Sequence, residues 1–290
     1  MQDPQQRTTV ALETALALGR GNDCPPGLAA AVEAAVFPGG SRLRPKLCLA
    51  VAAACGDPCP QASAAAAAAI ELLHCASLVH DDMPCFDDAA IRRGLPSVHA
   101  AYGEPLALLA GDALIVLAFE SLAVSLAARP GQLAPLVRLL ARSVGMADGL
   151  CAGQAWECEP EVEIGDYHRA KTGALFAAST EAGALAAGAP AAQWRALGAK
   201  LGEAYQVADD LRDVAATCAE LGKPTQQDRL HQRPNAVAEV GARGCLRRVK
   251  LLVEEAVASI PACPGAPALK QLIADQAAVF VPPELVRRVA

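Results

Sequence analysis

The chain has 290 residues, 53% of them hydrophobic but only 3% aromatic, and a formal net charge of -6. That length suits one large domain or two small ones, and an Ala- and Leu-rich apolar fraction with few β-branched runs favours helix over sheet. The acidic balance argues against nucleic acid as the main partner, because phosphate-backbone binding needs a basic surface.

In chain order, the polar start Met1-Gln2-Asp3-Pro4 is not expected to be a signal peptide. Helical periodicity predicts helices near 6–20, 27–37, 42–55, 61–82, 105–127, 131–147, 166–187 and 191–218, with more after 245. The breaks between them carry turn punctuation: Cys24-Pro25-Pro26, Pro38-Gly39-Gly40, Gly56-Asp57-Pro58, Arg129-Pro130-Gly131, Gly188-Ala189-Pro190 and Pro261 to Gly265. Val/Ile-rich alternation, GxGxxG and a P-loop are all absent, which argues against an α/β nucleotide fold. No charge-free apolar stretch approaches ~18–20 residues, so no membrane span is expected. No long polar linker divides the sequence. The expected architecture is all-α: residues 1–290 as one domain of helices around a cavity. The 11 cysteines, an odd number without CxxC spacing, read as reduced core residues of a cytoplasmic protein.

The chemistry-bearing segments follow the same order. Pro38-Gly39-Gly40-Ser41-Arg42-Leu43-Arg44-Pro45 is a glycine turn carrying arginines, suited to an anion nest. His74 lies two turns before Asp81 on nearly the same helical face. Asp81, Asp82 and Asp87 form an acidic bank, and Pro84 must end or bulge the helix so that Asp87 swings back. Arg92-Arg93-Gly94 suits a phosphate, or else a salt bridge to Asp87 or Asp88. Gln154, Lys171-Thr172-Gly173 and Gly222-Lys223-Pro224 are weak signals taken alone. Asp209, Asp210 and Asp213 form a second bank, with Asp209 and Asp213 one turn apart on one face. Carboxylates this dense in apolar helices repel one another unless hard cations such as Mg²⁺ relieve them. Mg²⁺ usually keeps substrate phosphate oxygens among its ligands, which points to two banks serving one diphosphate.

Taken together, these segments resemble the trans-isoprenyl diphosphate synthases, or polyprenyl synthetases. The resemblance covers residues 30–240 in order: the turn at 39–45, His74, the motif at 81–87, Arg92-Arg93-Gly94, Gly111-Asp112, Gln154, Lys171-Thr172-Gly173, Gln206, the motif at 209–213 and Gly222-Lys223. It implies an α-helical bundle enclosing a deep apolar cavity, usually as a homodimer. It further implies that Asp81, Asp87 and Asp209 coordinate Mg²⁺, with Asp82 and Asp213 also at the metals and Asp82, Asp210 and Asp213 supporting the ions directly or through water, and with about three ions once the allylic diphosphate is bound. Arg92, Lys171 and Lys223 would hold the allylic diphosphate, and Thr172 and Gln206 are further substrate-binding residues. Arg42, His74 and Arg93 would hold isopentenyl diphosphate. The sequence departs from the family where Ser41 replaces the usual lysine, where Arg233-Pro234-Asn235 stands at a later Lys-x-Thr element, and where Glu157 replaces an aspartate.

The resemblance also bears on product length. Ser77 and Ala76 lie four and five residues before Asp81, about one turn or ~5.4 Å along the helix. Farnesyl-producing relatives close the pocket with an aromatic residue where Ala76 stands. Ala76 leaves it open, which implies geranylgeranyl diphosphate, with Phe119 or Leu72 as candidates for the floor. The alternatives are a farnesyl diphosphate synthase and a non-catalytic partner subunit.

Overall fold

The computed structural model describes residues 3–161, 163–215 and 236–280. The chain divides into two compact units, residues 1–141 with 182–189, and residues 142–181 with 190–290.

The first unit contains α1 (Pro4–Arg20), α2 (Pro26–Val36), α3 (Leu43–Ala54), α4 (Pro60–Asp81), α5 (Val98–Tyr102), α6 (Glu104–Ser125) and most of α7 (Pro130–Val144). Proline opens α1, α2, α4 and α7, at the position whose N–H has no helical partner to lose. Asp3 caps α1 by accepting the Gln5 N–H at 3.3 Å. α4 is the centre of this unit and packs against α1, α2, α3 and α6. Its alanine run explains why: Ala65 to Ala69 are buried, and side chains this small let neighbouring helices approach closely. Leu12, Leu49, Ile70, Leu72, Leu73, Leu114 and Leu122 fill the spaces between helices, each contributing about 1.5–3 kcal/mol.

Two helices, α4 and α6, are long and apolar enough to cross a membrane by length and composition. Each tolerates that test despite internal carboxylates: Glu71 in α4, Asp112 and Glu120 in α6. α4 is mostly buried in the protein core, which accounts for its apolar character, whereas α6 is less than half buried.

The second unit contains α8 (Leu150–Ala155), α9 (Ile164–His168), part of α10 (Ala174–Ala186), α11 (Arg195–Ala215), α12 (Ala236–Ala258) and α13 (Ala266–Phe280). A 3₁₀ turn follows α8 at Trp156–Cys158, and a π-helical turn at Arg169–Gly173 joins α9 to α10. α11 packs along α12. Phe176, Tyr205 and Phe280 stack in series, with ring centroids 5.4 and 5.8 Å apart.

Most sequence boundaries hold to within a few residues. The structure adds a short hairpin pairing Ile91–Arg92 with Leu95–Pro96, together with α5 and α8. α12 begins at Ala236 rather than near 245 and kinks at Gly241, whose φ is 69°. Residues 216–235, which include Lys223 and Arg233-Pro234-Asn235, lie outside the described residues. Among the described cysteines none forms a disulfide; Cys48, Cys59, Cys75 and Cys245 are buried, and Cys85, Cys151 and Cys158 are exposed.

Candidate active site

The first acidic bank sits at the C-terminal end of α4. The helix stops at Asp81, as Pro84 demands, and the chain folds back on itself. The Asp87 N–H donates to the Asp81 carbonyl at 3.0 Å, and the Ala89 N–H to the Asp82 carbonyl at 3.1 Å. This turn returns Asp87 to the Asp81 end of the helix, where an unbroken helix would have carried it to another face.

Arg92, presented by the hairpin, lies over these carboxylates. Its Nε donates to Asp82 Oδ1 at 2.9 Å and Oδ2 at 3.1 Å, and its terminal nitrogen is 3.7 Å from Asp81 Oδ2. The salt-bridge alternative is therefore realised, with Asp82 rather than Asp87 or Asp88 as partner. Burial pushes the Asp82 carboxyl above its usual range, and the Arg92 hydrogen bonds oppose that shift. Asp82 is nearly inaccessible at 3% exposure, whereas Asp81 and Asp87 remain partly open. Within the bank, Asp81 and Asp87 are thus the residues able to meet a cation.

A cationic cluster forms in the same unit. Arg44 places a terminal nitrogen 3.3 Å from His74 Nε2. The guanidinium of Arg93 lies against Gly40, so close that a β-carbon there would sit 2.8 Å from it. Burial, then the charges of Arg44, Arg93, Arg92 and Arg42, hold His74 well below the usual imidazole range. It is a neutral ring that can accept from Arg44. Arg42, expected from the sequence in this cluster, is placed elsewhere: it is buried in an ion pair with Glu71 at 2.6 Å. The signal that could have found this was Glu71 itself, an acid inside an apolar run, which needs a buried partner.

α4 presents His74, Ser77, Leu78 and Asp81 as a partly accessible stripe at i, i+3, i+4 and i+7. Ser77 donates to the His74 carbonyl at 2.8 Å. Ala76, beside this stripe, is only 1% exposed.

The second unit carries the other bank, on α11. Asp209 is partly accessible and pairs with Arg212 at 3.4 Å; Asp213, one turn on, is 6% exposed. Asp210 points differently. It accepts the Gln206 side-chain amide at 2.9 Å and the Ala236 N–H, at the start of α12, at 2.8 Å. A carboxylate there satisfies an N-terminal amide and complements the helix dipole. Gln206 in turn accepts from the Thr172 hydroxyl at 2.7 Å. Three residues singled out by the sequence, Thr172, Gln206 and Asp210, thus form one partly buried relay.

Lys171 projects from the π-helical turn, a distortion that re-aims side chains and recurs at functional sites. The turn lies directly on α8: a β-carbon on Gly153 would come within 2.4 Å of the Lys171 backbone. The Lys171 ammonium pairs with Glu157, whose carboxylate also accepts from Tyr167 at 2.5 Å and Gln154 at 3.3 Å. Tyr167 was not singled out by sequence, since nothing local distinguishes it.

Comparison with known proteins agrees with this geometry. The polyprenyl synthetase family profile matches residues 25–260. The chain is 54% identical to a geranylgeranyl diphosphate synthase of Cereibacter sphaeroides, over 98% of this chain and 99% of that one. It is 50% identical to a geranylgeranyl diphosphate synthase of Rhodobacter capsulatus, over 92% and 93% of the two chains. Among solved structures it is similar to a geranyltransferase of Helicobacter pylori complexed with magnesium and isoprenyl diphosphate, with a TM-score of 0.78 at 29% identity, covering 95% of this chain and 98% of that one.

Proposed function

This chain belongs to the polyprenyl synthetase family, and on that premise we propose that it condenses isopentenyl diphosphate head-to-tail with allylic diphosphates to make geranylgeranyl diphosphate. The observation that carries the product is the 54% identity to a geranylgeranyl diphosphate synthase along nearly the whole chain. The active domain is taken as residues 1–290, and the compartment as the cytoplasm.

The donor set fits Mg²⁺. Asp81, Asp87, Asp209 and Asp213 offer hard carboxylate oxygens, and three of them are partly open to solvent. Asp82 and Asp210 support the banks from behind, through Arg92 and through the relay to α12. When bound, Mg²⁺ supplies electrostatic stabilisation of charge on a departing diphosphate. We take the number of ions to be about three, as in the expectation from sequence.

The chain's own residues supply the rest. Arg92 and Lys171 are cations already held against carboxylates, ready to take an allylic diphosphate oxygen; Lys223 is assigned with them. Arg44, His74 and Arg93 form the anion site for isopentenyl diphosphate. The allylic carbon–oxygen bond breaks, leaving its electron pair on the diphosphate and a resonance-stabilised cation. The isopentenyl double bond attacks that cation, and a proton leaves from the adjacent carbon to the departed diphosphate. No side-chain nucleophile is required. The role of the residues is to orient both diphosphates and stabilise the leaving charge.

The test is product analysis. The purified protein, given Mg²⁺ and isopentenyl diphosphate with dimethylallyl, geranyl or farnesyl diphosphate in parallel, is expected to yield geranylgeranyl diphosphate from all three. Stopping at farnesyl would favour the shorter-chain alternative. No product from folded protein would favour the non-catalytic subunit.

The proposal includes a homodimer. α6 exposes Leu108, Leu109, Val116 and Val124, each between 48% and 66% accessible, which a second copy would cover. Light scattering is expected to give twice the chain mass; a monomer at micromolar concentration would refute it.

A further inference from the structure

Arg42 occupies an unusual position. Its backbone is left-handed, with φ of 52°, at the junction between the glycine turn and α3. Its side chain runs inward rather than toward the His74 cluster. One guanidinium nitrogen donates to Glu71 Oε1 at 2.6 Å, and the other donates to the Val36 carbonyl. The group also lies over the Phe37 ring, 5.8 Å from its centroid. Gly39 covers it so closely that a β-carbon there would be 2.2 Å away. Arg42 and Glu71 are 8% and 1% exposed. Little surface of this guanidinium is left to a large anion.

The pair has a different consequence. Glu71 is one turn before His74 on α4, and Arg42 is two residues before Arg44. Fixing Arg42 to Glu71 therefore fixes the glycine turn against α4 in one register. That register sets Arg44 at His74 and leaves Gly40 as the seat for Arg93. Ser41 stands in the same turn without the cation usual in the family, so the anion site depends on those three residues being held correctly.

We propose that Arg42 and Glu71 are positioning residues that set affinity for isopentenyl diphosphate by locking the Gly39-Gly40 turn to α4, without touching the substrate. The inference rests on the function proposed above and adds to it the determinants of one substrate's affinity.

The experiment is a double-mutant cycle of Arg42→Met, Glu71→Leu and the pair together. Each variant is read by thermal melting and by separate KM values for isopentenyl and geranyl diphosphate. A buried ion pair can often be replaced by apolar residues of similar volume, so the double variant is expected to fold even if a single variant does not. In the double variant, KM for isopentenyl diphosphate is expected to rise about tenfold, with kcat and KM for geranyl diphosphate nearly unchanged. Folded single variants should show the same selective rise, and the effects should not add. An unchanged KM for isopentenyl diphosphate in the folded double variant would overturn the proposal. So would a rise in Arg42→Met with none in Glu71→Leu, which would make Arg42 a direct ligand. A fall in kcat with a parallel rise in both KM values would mark a purely structural pair and overturn the proposal. If wild type makes no product, the functional reading fails instead, and direct titration of isopentenyl diphosphate into the same variants still decides the positioning role.

Discussion

Asp81→Ala is expected to lower turnover by about a thousandfold or more while the protein stays folded. The carboxylate is partly open and lies 3.7 Å from Arg92, whereas the direct hydrogen bonds of that arginine go to Asp82. The turn that returns Asp87 uses the Asp81 carbonyl, not its side chain. Alanine therefore removes the proposed cation ligand without dismantling the local backbone, and it favours the helix by propensity. The measurement pairs kcat over a range of Mg²⁺ with the melting temperature. Near-normal turnover would refute the metal assignment. A collapsed melting temperature would show that the carboxylate is structural.

The contrast between Asp81 and Asp210 marks how far the sequence is legible. Local signals were sufficient for the long helices of the first unit, because proline and glycine punctuate them and the alanine run admits few other conformations. They were sufficient for the break after Asp81, since Pro84 cannot continue the ladder. They were insufficient where packing against a partner distant in sequence decides which way a side chain turns. Asp210 is expected to support the second bank beside Asp209, and packing decides how: it accepts from Gln206 and from the Ala236 amide. Arg42 and Arg44 are two residues apart in one turn; only packing decides that the first enters the core beside Glu71 and the second meets His74. The π-helical turn at Lys171 was hidden inside a helical period because one inserted residue barely disturbs it. The hairpin that presents Arg92 is too short, at two residues a strand, to show alternation.

The same partner dependence governs product length. Ser77→Phe is expected to shift the product from geranylgeranyl to farnesyl diphosphate or shorter, without loss of stability. Ser77 lies on the accessible stripe of α4 with His74 and Asp81, about one turn below the carboxylates, so a ring there enters the path of a chain growing away from the metal end. Its hydroxyl only bonds its own helix, to the His74 carbonyl, and is dispensable. Ala76→Tyr is expected to shorten the product as well, by the argument from farnesyl-producing relatives, but at a cost. Ala76 is 1% exposed, so a phenol ring must displace packed neighbours, which costs about 1–3 kcal/mol in a well-filled core. The two variants thus separate obstruction from overpacking: both shorten the product, and only Ala76→Tyr lowers the melting temperature. Product analysis of each, with geranyl diphosphate as the starter, reads the first effect, and calorimetry the second. Full-length product from both would show that the chain does not grow along α4 at all, and the floor would then have to be sought away from this helix.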